Sequence, residues 1–227
     1  MLDSNRQRLR EAWARTITPE DYEAHMLAVG QAQANAVLVA DYVAAHPPAR
    51  HAPILFAGAG TGQMFDFTSP EILLPYNVTF TDINAAYLNR LRTRLATVST
   101  LRYSTVVDDI ERPTLQRRFH NVLAILVLEH VDWRCAIANL CALADHEVFV
   151  IKQENPPDAP TALSPGRQIP QTMQVFASVH PTLIPRADLE SEFTRHGFKP
   201  SYGAQQSVAD SKIMQALAFR RHPQECP

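Results

Sequence analysis

The chain has 227 residues, a hydrophobic content of 46% and a formal net charge of −2. Its length suits one large domain with a sizeable apolar core. The near-neutral charge excludes a general electrostatic attraction to nucleic acid or to an anionic membrane. No apolar run approaches the roughly 18 residues of a membrane span, and residues 1–15 contain no apolar signal-peptide core. We therefore expect a cytoplasmic protein.

Helices are predicted over residues 4–16 and 19–45. Thr18-Pro19-Glu20-Asp21 is typical of a helix start, because a capping hydroxyl precedes a proline and two acids. An apolar stripe with near-helical spacing follows it. Together the two predicted helices would form an N-terminal helical cap, residues 1–48.

A glycine-rich turn follows the first predicted strand. The apolar run 54–57 leads directly into Gly58-Ala59-Gly60-Thr61-Gly62, and this turn holds three of the seven glycines of the chain. Glycine lets the backbone adopt positive φ angles and approach a ligand closely. The amides of such a turn, with the start of a following helix, can bind a polar or anionic group. A turn without any ligand is the alternative interpretation.

The rest of the chain alternates predicted strands and helices. Further strands are predicted over residues 78–81, 104–107, 121–128, 147–152, 200–208 and 213–219. Helices are predicted from about residue 84, over residues 134–144 and over residues 186–195, where Gly197 fits the C-terminal cap. The arginines of the first of these helices, Arg90, Arg92 and Arg94, are expected to form a solvated face. This order predicts a doubly wound α/β sheet of five parallel strands followed by a final antiparallel pair.

Acidic residues follow the second and third of these strands. Asp82 lies about 20 residues after the glycine turn, where a carboxylate can accept hydrogen bonds from ribose hydroxyls. It would alternatively cap the helix that begins near Asn84. Asp108-Asp109-Ile110 ends the third strand, and two adjacent carboxylates also fit a plain turn.

The most apolar strand, residues 121–128, ends in Glu129-His130-Val131-Asp132-Trp133. Ligands of open α/β sheets bind beyond the carboxyl ends of the strands. Histidine titrates near neutral pH, so His130 is the best candidate for a general base or for a residue that orients a substrate. Capping or packing of the next helix is the structural alternative for this side chain.

These patterns resemble the class I S-adenosylmethionine (SAM) methyltransferases from about residue 50 to residue 221. The glycine spacing is G-x-G-x-G, whereas the NAD fingerprint G-x-G-x-x-G would need glycine where Gln63 stands. The resemblance implies a Rossmann-like, seven-stranded, mostly parallel sheet with an antiparallel C-terminal strand in residues 49–221. It also implies SAM as cofactor and S-adenosylhomocysteine (SAH) as product. The family usually has an acid two residues before the first glycine, but this chain has Phe56 there.

The resemblance also implies which residues contact the cofactor. Asp109 would reach the adenine amino group and Ile110 would lie against the ring, with Asp108 as the competing acid. The implied cofactor-binding residues are Ala57, Gly58, Ala59, Gly60, Gly62, Asp82, Ile83, Asp109, Ile110 and Leu126.

The acceptor is expected between the end of the fourth strand and residues 153–185. This proline-rich segment shows no clear periodicity, which is typical of a functional cover. His130 is the predicted catalytic residue, and the predicted substrate-binding residues are Tyr22, His25, Glu129 and Trp133. Tyr22 and His25 also fit helix packing, and Trp133 also fits a contact that fastens the following helix.

The sequence thus predicts methyl transfer from SAM to a small-molecule acceptor, without a nucleic-acid or membrane partner. A non-catalytic relative that binds SAM or SAH is the first alternative, favoured by Phe56, and an NAD-dependent oxidoreductase, disfavoured by Gln63, is the second. Cys135, Cys141 and Cys226 lack metal-ligand spacing, so no metal is predicted and the three thiols are expected to be reduced.

Overall fold

A computed structural model describes residues 4–48, 51–156 and 169–222. Residues 157–168 of the predicted cover and Cys226 lie outside the described residues. In the described part, seven strands form one sheet. Their bounds are β1 Ala52–Ala57, β2 Tyr76–Asp82, β3 Tyr103–Val107, β4 Phe119–Ile125, β5 Ala144–Glu154, β6 Phe198–Ser207 and β7 Ile213–Arg221.

The sheet has the strand order β3-β2-β1-β4-β5-β7-β6. Strands β1 to β5 pair in parallel, whereas β7 runs antiparallel to both of its neighbours, β5 and β6. Six strands therefore point the same way, and β7 is the single reversed strand of this sheet. The predicted mostly parallel, seven-stranded sheet with an antiparallel C-terminal strand is confirmed.

Strand β4 is shorter than predicted. It ends at Ile125 rather than at residue 128, because Leu126 adopts a left-handed backbone conformation with φ 53°. The chain then forms a short 3₁₀ turn, Leu128–His130. Glu129 and His130 consequently lie on a turn at the sheet edge and not at the tip of an extended strand.

Six α-helices accompany the sheet in the described residues. They are α1 Ser4–Glu11, α2 Pro19–Ala28, α3 Gln31–Ala45, α4 Ala85–Leu95, α5 Trp133–Leu143 and α6 Arg186–Arg195. Thr18 caps α2 as predicted, since its side chain accepts a hydrogen bond from the backbone N–H of Asp21. The segment Gln171–Ala177 is a 3₁₀ helix.

The N-terminal helices differ from the prediction at two points. Residues 19–45 form two helices rather than one. Gly30, between α2 and α3, has φ 77°, a left-handed conformation that interrupts the helix. Glycine populates this conformation without steric cost. The predicted helix 4–16 is α-helical only to Glu11 and continues as a π-helical turn, Ala12–Thr16.

Two apolar clusters cover the two faces of the sheet. Helices α3 and α4 pack with alternate residues of β1, Ile54 and Phe56, on one face. Helices α5 and α6 pack with Leu55 and Ala57 on the other face. Helix α3 thus contributes to the same core as the sheet, while the division at residue 48 into cap and domain stays a prediction.

A third cluster joins the N-terminal segment to the described part of the cover. Leu9, Ala12 and Ile17 pack against the 3₁₀ helix Gln171–Ala177. Among the described residues, no helix is long and apolar enough to cross a membrane. The same residues contain no group of three or more histidines, cysteines, aspartates or glutamates that could hold a metal ion.

Candidate functional site

Three adjoining cavities lie at the carboxyl ends of the strands. The first, which we call the main cavity, has a volume of about 90 Å³. Its walls include Arg6, Arg10, Trp13, Tyr22, Gly58, Gly60, Asp82, Ile83, Tyr87, Asp108, Asp109, Ile110, Leu126, Val127 and His130. Ligands of open α/β sheets bind at this edge, so the cavity stands where a cofactor site is expected.

The second cavity, the His25 cavity, has a volume of about 70 Å³. It is lined by Trp13, Tyr22, His25, Met26, Gln31, Leu126, Glu129, His130, Gln153, Met173, Phe176, Pro181 and Leu183. The third, the Phe56 cavity, is lined by Tyr22, Met26, Ala32, Asn35, Phe56, Gly58, Ala59, Gly62, Gln63, Met64 and Ile125. Tyr22 lines all three cavities, so they adjoin one another around its ring.

The glycine turn requires glycine on geometric grounds. Gly58, Gly60 and Gly62 all have positive φ, from 60° to 68°. A Cβ on Gly58 would lie 2.7 Å from Val127 Cγ2, and one on Gly60 would lie 3.3 Å from the Tyr22 hydroxyl oxygen. Side chains at these positions would therefore fill the space between the turn and the cavity walls.

Arg94 of α4 fastens this turn. The arginines of α4 were predicted to form a solvated face, but Arg94 is only 14% exposed. Its Nη1 donates to the carbonyl oxygen of Thr61 at 2.7 Å, and the same guanidinium pairs with Glu23 at 2.9 Å and with Asp66 at 2.7 Å. The prediction is wrong for Arg94 because these partners on α2 and after the turn draw it inward.

Asp82 lies at the end of β2 and is 8% exposed. Its Oδ2 accepts a hydrogen bond from Gly60 N and its Oδ1 accepts one from Asn84 N, each at 2.8 Å. Burial raises the pKa of Asp82 to about 6, although these two hydrogen bonds lower it. The cap of α4 is Asn84, whose side chain accepts from Ala86 N. Asp82 thus joins the second strand to the glycine turn, with its carboxylate at the cavity wall.

Asp108, Asp109 and Ile110 reach the same cavity from the end of β3. Asp109 Oδ2 accepts hydrogen bonds from Arg10, from Nη2 at 2.5 Å and from Nε at 2.9 Å. Asp108 instead accepts from the backbone and hydroxyl of Thr114. Asp109, the acid that the resemblance places near adenine, is therefore paired with Arg10 of the N-terminal helix α1.

The N-terminal segment covers this side of the site. Arg6 of α1 pairs with Asp132 at 2.6 Å, and the Trp13 carbonyl accepts from Asn84 Nδ2 at 2.9 Å. The Trp13 ring meets the His130 ring edge-on, with 4.7 Å between centroids. The sequence predicted helix 4–16 as part of the N-terminal helical cap but indicated no site residue on it. A tryptophan, one of two in the chain, is the feature of this helix that indicates a buried contact.

Glu129 and His130 lie on the turn after β4, and both face the His25 cavity. Glu129 is 4% exposed, and its Oε1 accepts from Gln153 N at 2.8 Å. Burial raises the pKa of Glu129 to about 7 and lowers the pKa of His130 to about 4. At neutral pH the imidazole is therefore uncharged, while the carboxyl group is near its titration midpoint.

Polar atoms of both residues lack a partner. Glu129 Oε2 and His130 Nδ1 are buried and make no hydrogen bond within the described residues. Native structures leave few buried polar atoms unpaired, and such atoms indicate a ligand, a water or a catalytic role. The His25 cavity therefore combines apolar walls with two polar atoms available for a bound molecule.

Phe56 is directed into the core. It is 2% exposed, and its ring lies 5.0 Å from that of Phe80. Two buried polar side chains, Asn35 and Gln63, line the Phe56 cavity. Asn35 Oδ1 and Gln63 Oε1 have no hydrogen-bond partner in the part of the chain described. Gln63 is oriented by its other amide atom, because Nε2 donates to the Glu23 carbonyl at 3.0 Å. Neither oxygen was predicted from the sequence.

Most predicted site residues meet in these cavities. Gly58, Gly60, Asp82, Ile83, Asp109, Ile110, Leu126, Tyr22 and His130 line the main cavity, His25 and Glu129 line the His25 cavity, and Ala59 and Gly62 line the Phe56 cavity. Ala57 and Trp133 line none of the three. Ala57 faces the α5 side of the sheet. Trp133 begins α5 in the same core, with the Arg134 guanidinium 4.0 Å from its ring.

No protein-family model matches the chain, and no curated protein matches it in sequence. The structure is similar to magnesium protoporphyrin IX methyltransferase from Synechocystis PCC 6803 with bound SAM, with a TM-score of 0.64 and 16% identity over 85% of this chain and 80% of that chain. Geranyl diphosphate C-methyltransferase from Streptomyces coelicolor A3(2), solved with SAH, has a TM-score of 0.59 and 11% identity over 81% of this chain and 78% of that chain.

The cyclase SpnF is also similar, with a TM-score of 0.60 and 12% identity over 81% of this chain and 80% of that chain. At these identities the similarity concerns the fold. Together with the strand order and the glycine turn, it confirms the predicted resemblance: this chain has the Rossmann-like fold of the class I SAM-dependent methyltransferases.

Proposed function

We propose that the protein transfers a methyl group from SAM to a small-molecule acceptor. The observation that carries this proposal is the main cavity, where the glycine turn, Asp82 and Ile110 come together at the carboxyl ends of β1, β2 and β3. Neighbours with the same fold are solved with SAM or SAH bound. The net charge of −2 favours a small molecule over nucleic acid as acceptor.

The residues of the main cavity suit this cofactor. The Asp82 carboxylate suits ribose hydroxyls, and Asp109 with Ile110 suits the adenine edge and ring. Gly58 and Gly60 line the main cavity without side chains, so a cofactor there could approach the backbone of the turn closely. When bound, SAM supplies a methyl group on a positively charged sulfur, so the protein mainly has to position the acceptor and take up a proton.

The other end of the cofactor fits the Phe56 cavity. Two buried amide oxygens, Asn35 Oδ1 and Gln63 Oε1, line this cavity without a hydrogen-bond partner among the described residues. An ammonium group carries three donors and no acceptor. We infer that these oxygens receive the cofactor's amino group, which makes up for the acid that Phe56 replaces.

The acceptor then occupies the His25 cavity. His130 lines both this cavity and the main cavity, and Tyr22 separates them from the Phe56 cavity. Met173 and Phe176 bring the described part of the predicted cover to the same place. Cofactor and acceptor would thus meet beside His130, which is positioned to orient the acceptor.

Thermal unfolding and calorimetry with SAM, SAH and NAD test the cofactor. SAH should raise the melting temperature, because a ligand that binds only the native state stabilises it by mass action. NAD should have no effect. A shift with NAD and none with SAM or SAH would refute the assignment.

Two glycine variants sharpen this test. Gly60→Ala and Gly30→Ala both force a side chain into a positive φ, 60° and 77° respectively, and each should cost about 1–2 kcal/mol of stability. Only Gly60 lines the main cavity, whereas a Cβ on Gly30 meets nothing within 4 Å. Gly60→Ala should therefore lose SAH binding and Gly30→Ala should keep it. Equal SAH affinity in both variants would contradict a cofactor at the glycine turn.

A ligand-binding protein that transfers no methyl group is the second candidate. Phe56 in the core favours it, and SpnF, named as a cyclase, is among the fold neighbours. A screen of small phenols, amines and carboxylates for SAM-dependent SAH release separates the two functions. SAH binding without release from any acceptor class would support the second candidate.

A further inference from the structure

The chemistry of the His25 cavity is set by one buried carboxylate. Glu129 is 4% exposed, and only its Oε1 has a hydrogen-bond partner in the described residues, the N–H of Gln153. A carboxylate oxygen accepts hydrogen bonds and, when ionised, donates none. In the ionised form of Glu129, the group missing at Oε2 is therefore a hydrogen-bond donor, since an unpaired polar atom in the interior is energetically costly.

The walls around this oxygen are mostly apolar and aromatic. Trp13, Tyr22 and Phe176 supply rings, and Met173 supplies a flexible side chain. Rings in proteins pack well against other rings in edge-to-face or offset geometry. An aromatic body is thus the acceptor shape that these side chains favour.

The charge of the acceptor is also restricted. No lysine or arginine of the described residues lines the His25 cavity, and the Glu129 carboxylate repels an anion. His130 shares the cavity and stays uncharged because burial lowers its pKa to about 4. A positively charged acceptor is also disfavoured. It would lie beside the positively charged sulfur of SAM, and burial would disfavour its charge as it disfavours a charged His130. An uncharged acceptor is favoured.

We propose that the His25 cavity takes an uncharged aromatic acceptor with a phenol-type hydroxyl, which donates to Glu129 Oε2 and transfers its proton there during methylation. This inference rests on the proposed function and narrows its acceptor. The hydroxyl oxygen forms a bond to the methyl carbon while the carbon–sulfur bond breaks and leaves its electron pair on sulfur. The O–H bond breaks, and the proton goes to Glu129 Oε2, so the products are the methyl ether, SAH and a protonated Glu129.

Glu129 rather than His130 is the proton acceptor in this scheme. Burial affects the two groups in opposite directions, because it disfavours the charged form of each. It makes the carboxylate a stronger base and the imidazole a weaker one. His130 Nδ1 remains available to orient the acceptor, as its position between the two cavities suggests.

Fluorinated fragments measured by ¹⁹F NMR, with SAH present, test this recognition. The probes are 4-fluorophenol, 4-fluoroanisole, 4-fluorobenzoate and 4-fluorobenzylamine. Wild-type protein should bind 4-fluorophenol about tenfold more tightly than each of the others, the scale of one hydrogen bond to a charged group. Tighter binding of the benzoate or the benzylamine, or equal binding of the phenol and the anisole, would overturn the inference.

The variant Glu129→Gln supplies the matched test. Its amide oxygen can keep the hydrogen bond from Gln153 N, which leaves an NH₂ group where Oε2 stood. This group donates to the phenol and the anisole alike, so the preference for the phenol should disappear. Glu154→Gln is the control, because Glu154 is half-exposed at the end of β5 and lines none of the three cavities. It should retain the wild-type preference.

Turnover of phenol with SAM, followed as SAH release, gives the second readout. Glu129→Gln should lower it by about 10²-fold or more, the usual scale for losing a general base, with SAH affinity unchanged. Full turnover in Glu129→Gln would refute the proton transfer. Failure of SAH to bind wild-type protein would refute the proposed function instead, whereas SAH binding without phenol preference refutes only the acceptor class.

Discussion

Arg10 and Asp109, 99 residues apart, are joined by two hydrogen bonds at the edge of the main cavity, 2.5 Å and 2.9 Å long. Both donors contact the same carboxylate oxygen. Asp109 is also the residue proposed to receive the adenine amino group. If Asp109 receives this group as proposed, the first helix would compete with the cofactor for one acceptor, and cofactor binding would require this ion pair to rearrange.

Arg10→Gln should consequently bind SAH faster than the wild-type protein, by a few-fold. The effect is modest because Arg10 is 45% exposed and ion pairs of this kind contribute about 1 kcal/mol or less. Stopped-flow measurement of SAH association checks it. Arg8→Gln, an exposed change on the same helix, is the control and should leave the rate unaltered. A slower rate in Arg10→Gln would mean that Arg10 assists the cofactor rather than competes with it.

Asp82→Ala should weaken SAH binding by about 1–3 kcal/mol, since it leaves ribose hydroxyls without an acceptor. It should also lower the melting temperature, because Gly60 N and Asn84 N lose their partner. Asn84→Ala separates the two effects. It removes the cap of α4, at a cost of about 1 kcal/mol, and the hydrogen bond to the Trp13 carbonyl, but Asn84 itself lines none of the cavities. Calorimetry should show weaker SAH binding only in Asp82→Ala, and equal weakening in both variants would make Asp82 structural.

Asn35→Asp should strengthen SAH binding, because it restores a carboxylate beside the inferred ammonium site. Hydrogen bonds to charged groups exceed neutral ones by about 1 kcal/mol, so a gain of several-fold is expected. Asn35→Leu should weaken binding instead. An SAH analogue that lacks the amino group should bind all three proteins equally. If Asn35→Asp improves binding of this analogue as well, the amide does not contact the amino group.

Glu129→Gln should be more stable than the wild-type protein at pH 8 and equally stable near pH 4. Burial raises the folded-state pKa of Glu129 to about 7, above the ordinary value of 4.5 for this side chain. The stability that Glu129 contributes is therefore full below pH 4.5 and is lost as the pH rises through 7. The difference should reach about 3 kcal/mol, measured by denaturant unfolding at several pH values.

Other ionisable side chains near Glu129 are His25 and His130 in the same cavity and Lys152 on β5. The lowered pKa of His130 acts in the opposite direction, since it reduces stability as the pH falls from 6.5 towards 4. It acts in both proteins, so it cancels in the difference between them. A pH-independent difference would show that the Glu129 pKa is not raised.

Local patterns were sufficient for the sheet and the glycine turn. A strand with an apolar run can be recognised from neighbouring residues alone. The same holds for the turn Gly58–Gly62 that follows the first strand. The break at Gly30 was missed because a single glycine within an apolar helical stripe is compatible with a continuous helix. The φ of 77° at Gly30, which separates α2 from α3, is known only from the folded structure.

Apart from Tyr22 and His25 on α2, the site could be predicted where its residues follow strand ends. Asp82, Asp109 and Glu129 do so, and they line the cavities. The roles of Arg10 and Arg94 depend on partners 99 and 33 residues away in sequence, which no spacing rule connects. The orphan oxygens of Asn35 and Gln63 likewise follow from burial, a property of the folded chain.

Trp13 lines both the main cavity and the His25 cavity. The N-terminal segment that carries it is held by ion pairs to Asp132 and Asp109 and by a hydrogen bond from Asn84. One displacement of this segment would therefore uncover the two sites together. If the protein catalyses the proposed transfer, exchange of both ligands would share a single kinetic barrier, and the two products should leave in one coupled phase. Under saturating substrate, the rate of this opening would then set an upper limit on the number of reactions per second.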